Sequence, residues 1–165
     1  MKNTIELKEL YKLQSGLDAR IASNHQTSYK KTKDDRLMAL IVEIGELANE
    51  TRCFKYWSNK GPSPRAVLLD EYADGMHFLL SLGIPLDVKK TSYEIVKSEL
   101  SLTRQFHLLY QATVELVESY DLAHYTNAYQ LFLNLIPSLG FDVEEVIDAY
   151  KAKLDVNYQR QNNNY

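Results

Sequence analysis

Chain-breaking residues are scarce in this sequence, and they cluster. Six glycines and four prolines serve 165 residues. Most fall in three short stretches: "SNKGPSPR" at 58–65, "GIP" at 83–85 and "IPSLG" at 136–140. A many-turned β fold needs breakers at short regular intervals, so the long uninterrupted segments point to helices. Ile5, Leu7, Leu10, Leu13, Leu17 and Ile21 recur mostly three or four residues apart and predict a first helix over 4–24. The polar "QTSYKKTKDD" reads as a connection. Asp34 or Asp35 then caps a second helix that runs on through "CFKYW" to residue 57. A third helix begins near Pro64 and stops at "GIP". A periodic segment over 88–119, a weak break at "SYDLAHYT", and a fifth helix over 127–140 follow. Asp142 caps a sixth helix over 143–161. The expectation is an all-α fold, a bundle of about six helices with short connections, as one domain over 1–165.

Composition excludes several classes. The net charge of −3 and the absence of a basic stripe argue against a nucleic-acid binder. The single cysteine, Cys53, excludes an internal disulfide framework and a Cys-rich zinc site, and reads as a buried small residue. The start "MKNTIELKEL" carries no apolar signal core, and no run of 18 apolar residues occurs, which predicts a cytoplasmic protein without a membrane partner. The twelve tyrosines are many for this length and suit helix-packing surfaces as amphipathic rings. So much aromatic and aliphatic surface in a small chain predicts a homodimer, whose two-fold interface could supply groups from both chains to each site.

One segment breaks its own pattern. "ALIVEIGELANE" (39–50) is apolar enough to be buried, yet it carries Glu43, Glu46 and Glu50 on nearly one face and has no Lys or Arg. Glu43 and Glu46 are at i and i+3. In the third helix Glu71 and Asp74 repeat that spacing, with Asp70 beside them. A short Pro/Gly loop joins the two helices, so they should pack antiparallel with the two pairs facing each other. Four carboxylates cannot all stay ionised in a dry bundle without cations. Hard oxygen ligands in this number suit Mg²⁺, with Mn²⁺ as a substitute. An isolated pair of this kind is common on solvated faces. Two pairs set among Val42, Ile44, Leu47, Leu68, Leu69 and Tyr72 are a stronger signal.

Glu43-x-x-Glu46, 24 intervening residues, then Glu71-x-x-Asp74 resembles the signature of the all-α nucleoside triphosphate pyrophosphatases, the MazG-like superfamily. Three further stretches, "YKLQSGLDARI", "CFKYW" and "YKAKLDVNYQRQNNNY", resemble motifs of its dimeric dUTPase branch. The likeness runs from about residue 7 to the C-terminus and departs from the branch's usual Gly-Tyr ending, where "NNNY" stands instead. The resemblance implies Mg²⁺-dependent hydrolysis of dUTP, and also of dUDP, to dUMP, which limits uracil in DNA. It implies Glu43, Glu46, Glu71 and Asp74 as metal ligands, with Glu43 or Glu46 taking the proton of the attacking water.

The other implied roles concern substrate. Lys153, Asn157 and Arg160, at i, i+4 and i+7, would present two cations and an amide to the phosphates. Without the resemblance that trio reads as a solvated basic helix end. Lys55 adds to the phosphate shell, with Arg52 a weaker candidate. Gln14 would read the uracil edge, with Asp18 nearby and Trp57 as an aromatic wall. Phe78 would lie against the deoxyribose and leave no room for a 2′-hydroxyl. For Trp57 and Phe78 the alternative is plain core packing.

His77 completes an Asp74-x-x-His77 spacing like that of di-iron bundles, but none of the glutamates that could be recruited to such a site (Glu115, Glu118, Glu144 or Glu145) repeats a Glu-x-x-His; a histidine bonded to a neighbour on its helix face fits better. Glu50 lies outside the signature, as an outer ligand or a surface acid. The competing readings are a pyrophosphatase for another dNTP such as dCTP, a di-iron helical bundle, and a non-enzymatic helical adaptor.

Overall fold

A computed structural model describes residues 3–165. Its framework is helical: α1 (Lys8–His25), α2 (Tyr29–Thr51), α3 (Arg65–Gly83), α4 (Leu102–Glu118), α5 (Leu122–Leu133), the single turn α6 (Leu135–Ser138) and α7 (Val143–Asn162). Two three-residue strands, β1 (Thr4–Glu6) and β2 (Ser92–Glu94), are the only sheet among the described residues. The all-α expectation is met. No described helix is long and apolar enough to cross a membrane.

Helix α3 is the hub. It packs against α1, α2, α5 and α7, and from Tyr72 onward nearly every residue is buried. Gly75 and Gly83 permit the approach of α5: a Cβ at Gly75 would lie 2.8 Å from the Phe132 ring, and one at Gly83 would lie closer still to the Tyr125 hydroxyl. Helices α2 and α3 run antiparallel. Partners on α3 fall in number as those on α2 rise: Arg36 meets Ser81, Glu43 and Glu46 meet Glu71, and Glu50 meets Ser63 just before α3. Five tyrosines (72, 93, 125, 129 and 150) are fully buried in the core. Tyr72 and Tyr125 donate their hydroxyls to the carbonyls of Phe132 and Leu79, which is how an amphipathic ring is accommodated in a dry interior.

Several predicted boundaries move. Residues 4–6 are a strand, because Ile5 alone of the three points inward and pairs with Tyr93 in an antiparallel register. Helix α2 starts at Tyr29. Ser28 caps it, and Arg36 ties the otherwise polar first turns down by donating to the Tyr29 and Ser81 carbonyls. The same helix ends at Thr51, since Arg52 adopts a left-handed φ of 58°, so "CFKYW" forms turns. The periodic segment over 88–119 divides into β2, an extended stretch, and α4, which Ser101 caps. Helix α5 begins at Leu122, where Asp121 caps it. Pro64 precedes α3 as expected, and Asp142 with Glu145 forms a capping box at the start of α7.

Candidate active site

The carboxylates converge between α2 and α3. One oxygen from each of Glu43, Glu46 and Glu71 lies within 4.8 Å of the others. Glu46 is exposed, while Glu43 and Glu71 are half-buried. Glu43 Oε2 is buried and has no hydrogen-bond partner among the described residues. Burial, then the charges of Asp74 and Glu46, push Glu43 up to about 8. Burial and the Glu46 charge also raise Glu71. Crowded hard-oxygen donors with an orphaned buried lone pair fit a divalent cation, which would supply the missing partner.

Asp74 faces Glu43 closely enough for its charge to be the largest acting there, yet it lies outside the tight triad: it accepts from Lys153 Nζ at 2.7 Å, and Asp70 accepts from the same ammonium at 2.8 Å. Burial raises the Asp74 carboxyl, and the Lys153 hydrogen bond opposes that rise. Burial works against the Lys153 ammonium, but its bonds to Asp70 and Asp74 hold its proton affinity above the ordinary range. Glu50 lies outside the triad, though its charge also raises Glu71: it accepts from Ser63 and so fastens the loop into α3.

Beside the triad opens a cavity of about 760 Å³. Gln14 and Asp18 of α1 line one end. Glu43, Asp74 and Phe78 line the wall, and Asn157 and Arg160 of α7 reach the same space. Arg160 donates to Asn157 at 3.3 Å, and its guanidinium lies 5.2 Å from the ring centre of Tyr165. At the α1 end the polar groups are tightly bonded. Gln14 donates to Asp18 Oδ1 at 2.8 Å, and Asp18 Oδ2 accepts from Tyr29 at 3.0 Å and Ser81 at 2.7 Å.

The sequence-predicted residues divide into three groups. Gln14, Asp18, Glu43, Asp74, Phe78, Asn157 and Arg160 share the cavity, and Glu46 and Glu71 join it through the triad. Lys153 sits at its edge through Asp74. Lys55 and Trp57 lie outside the lining, in the turns after α2, where Trp57 is 64 % exposed and packs edge-on against Phe54 and Tyr56. Sequence reasoning missed Tyr29, Arg36, Ser81 and Tyr165 as cavity residues. Arg36, one turn before Leu40 on a helix otherwise read for its apolar face, carried the only hint: a cation aimed toward the bundle.

Two antiparallel helices thus present facing carboxylates beside a cavity of about 760 Å³, an arrangement suited to a divalent cation and a phosphorylated ligand. A family model described as dUTPase matches residues 6–165, nearly the whole chain, and the chain belongs to that family, the all-α dUTPases. It is accordingly a dUTP diphosphatase, which hydrolyses dUTP to dUMP and pyrophosphate. No curated protein matches the chain. The family generally uses a divalent metal, and the Glu43–Glu46–Glu71 cluster is able to hold one.

Proposed function

We propose that dUTP occupies the 760 Å³ cavity with its uracil toward Gln14 and Asp18, its deoxyribose against Phe78 and its phosphates toward the acidic triad. The observation that carries this reading is the cavity's polarity along its length. Amide and carboxylate groups suited to a base edge lie at the α1 end. Glu43, Asp74, Asn157 and Arg160 lie around the same space. Mg²⁺, or Mn²⁺ in its place, would be held by Glu43, Glu46, Glu71 and Asp74. When bound it offsets phosphate charge and acidifies the attacking water.

The chain's own residues do the rest. Lys153, released from Asp70 and Asp74, meets a phosphate as a point charge, and Arg160 meets one as a planar fork, with Asn157 holding that fork in place. One carboxylate of the Glu43–Glu46 pair takes the proton of the attacking water. The Phe78 ring occupies the side of the sugar where a ribonucleotide would carry its 2′-hydroxyl. dUDP, with the same base, sugar and scissile bond, is a second substrate.

The protein acts as a homodimer in the cytoplasm. Exposed Trp57, with Phe54 and Tyr56 beside it, forms an aromatic cluster away from its own cavity. In a two-fold assembly Trp57 and Lys55 reach the partner's site.

Pyrophosphate release from a panel of dNTPs with Mg²⁺ or Mn²⁺ tests the substrate, and sedimentation tests the assembly. The reading fails if dCTP or dTTP is turned over as well as dUTP, or if Glu46→Gln leaves turnover intact.

A further inference from the structure

His77 has no place in the roles above, yet it is among the most tightly held polar groups of the molecule. Its ring is 5 % exposed and stacks on Tyr150, with centroids 4.3 Å apart and planes 24° from parallel. Nδ1 lies 2.7 Å from Gln14 Oε1, and Nε2 lies 3.3 Å from the Tyr150 carbonyl oxygen. Both neighbours are carbonyl oxygens, which only accept. A buried neutral imidazole has one hydrogen to give, and burial keeps His77 neutral by lowering it to about 4. The shorter contact takes that hydrogen, so the ring is the Nδ1–H tautomer and donates to Gln14. Tyr150 supplies a second donor: its hydroxyl lies 3.0 Å from the same Gln14 oxygen and 3.3 Å from the Leu10 carbonyl, and the shorter contact takes its one hydrogen.

This arrangement settles which way round the Gln14 amide sits. Its oxygen is filled by two donors, and one of its N–H groups is given to Asp18 at 2.8 Å. What remains for a ligand is one N–H and no carbonyl. A reversed amide could bond His77 only as its Nε2–H tautomer, which donates through the longer contact to the Tyr150 carbonyl, and would set its own oxygen against the Asp18 carboxylate. That second contact is repulsive and leaves buried oxygens without a donor.

We infer that His77 is a positioning residue for base selection: by donating Nδ1–H to Gln14 it makes Gln14 a donor-only reader, which donates to the O4 carbonyl of uracil and rejects the exocyclic amine of cytosine. The inference rests on the reading that Gln14 faces the base. A site built to hydrogen-bond one group rejects an analogue lacking it far better than a merely shaped pocket does.

The test uses the full chain with dUTP and dCTP and three variants. His77→Phe keeps the ring and removes the donor; His77→Asn restores an N–H at the Nδ1 position; Gln14→Leu removes the reader. His77→Phe is expected to raise KM for dUTP about tenfold and to narrow the dUTP-over-dCTP ratio of kcat/KM by about tenfold, with kcat changed less than about threefold. His77→Asn is expected to recover most of that ratio. An unchanged ratio in His77→Phe, or an equal loss in His77→Asn, overturns the inference. If Gln14→Leu leaves KM for dUTP unchanged, it is the placement of the base that fails. If Gln14→Leu raises KM while His77→Phe does not, only the role of His77 falls. Independently of any variant, nitrogen-15 spectra of the histidine rings are expected to report His77 protonated at Nδ1, and protonation at Nε2 would overturn the proposal.

Discussion

Lys153 sets its ammonium 2.7 Å from Asp74 Oδ2 while its own side chain is only 7 % exposed. The same ammonium reaches Asp70 at 2.8 Å. A cation of the chain itself therefore occupies the carboxylate that the sequence pattern assigns to a metal. Breaking such a pair from one side leaves an uncompensated charge. A divalent cation that takes Asp74 Oδ2 competes with Lys153, and an ammonium so displaced is free for a phosphate.

This exchange predicts opposite effects on two measurements. In Lys153→Gln, Mn²⁺ affinity without nucleotide, read by calorimetry, should rise several-fold because Asp74 is released. Turnover of dUTP should fall about 100-fold with loss of a phosphate contact. A Mn²⁺ affinity lower than that of the unsubstituted protein would show that Lys153 does not compete for Asp74.

The acidic triad predicts an activity–stability trade. Glu46→Gln should lower kcat by about 10²–10⁴-fold, the usual worth of a positioned acid–base group. In EDTA at pH 8 the same variant should melt higher than the parent, since one like charge beside Glu43 and Glu71 has gone. Calorimetry and steady-state kinetics on one preparation check both halves. A lower melting temperature would mean that Glu46 makes a stabilising contact.

Stability without metal should depend on pH in a defined direction. Glu43 is raised from 4.5 to about 8 in the fold, so its protonated form stabilises the folded state. That contribution is complete below 4.5 and is lost as pH rises toward 8. His77 is lowered from 6.5 to about 4, so its contribution is present above 6.5 and is lost as pH falls toward 4. These two trends oppose one another below pH 6.5; above it the Glu43 trend continues, and the raised Glu71 and Asp74 act in its direction. Urea titrations in EDTA should therefore show stability declining from pH 6.5 to 8. Glu43→Gln or added Mg²⁺ should flatten that decline, and its persistence in Glu43→Gln would assign it elsewhere.

The cavity wall predicts a sugar switch. Phe78→Ala should raise kcat/KM for UTP relative to dUTP by about 10–100-fold, the range for adding or removing steric room in a pocket. Phe78 is only half-buried, so the fold should survive the change. A ratio that stays put would place the 2′ side of the sugar against another group.

Much of this was legible in the chain. The scarcity of breakers foretold helices, and spacing foretold that Glu43 and Glu46 would share a face and that Asp142 would cap α7. These are local properties: helical period and cap chemistry act within a few residues, so they can be read without knowing what packs where. The misplaced start of α2 shows the limit. "SYKKTKD" has no apolar stripe, and it is helical because Arg36 spans from the Tyr29 carbonyl to Ser81 on α3, a contact 45 residues away. The short strands failed for the same reason. Three residues carry too little periodicity to be seen, and β1 exists only because β2 pairs with it.

The candidate site divides along the same line. Sequence alone determined its inventory: two carboxylate pairs, a Lys–Asn–Arg face and an amide on the first helix, since each motif lies within one helix. Tertiary structure decided the partners. It set Lys153 on Asp74, fastened Glu50 to Ser63, left Trp57 outside its own cavity, and closed His77 and Tyr150 on Gln14. Hydrogen bonds and ion pairs form between groups that meet in space. Which groups meet depends on how helices distant in sequence are rotated and packed, and no local pattern encodes that.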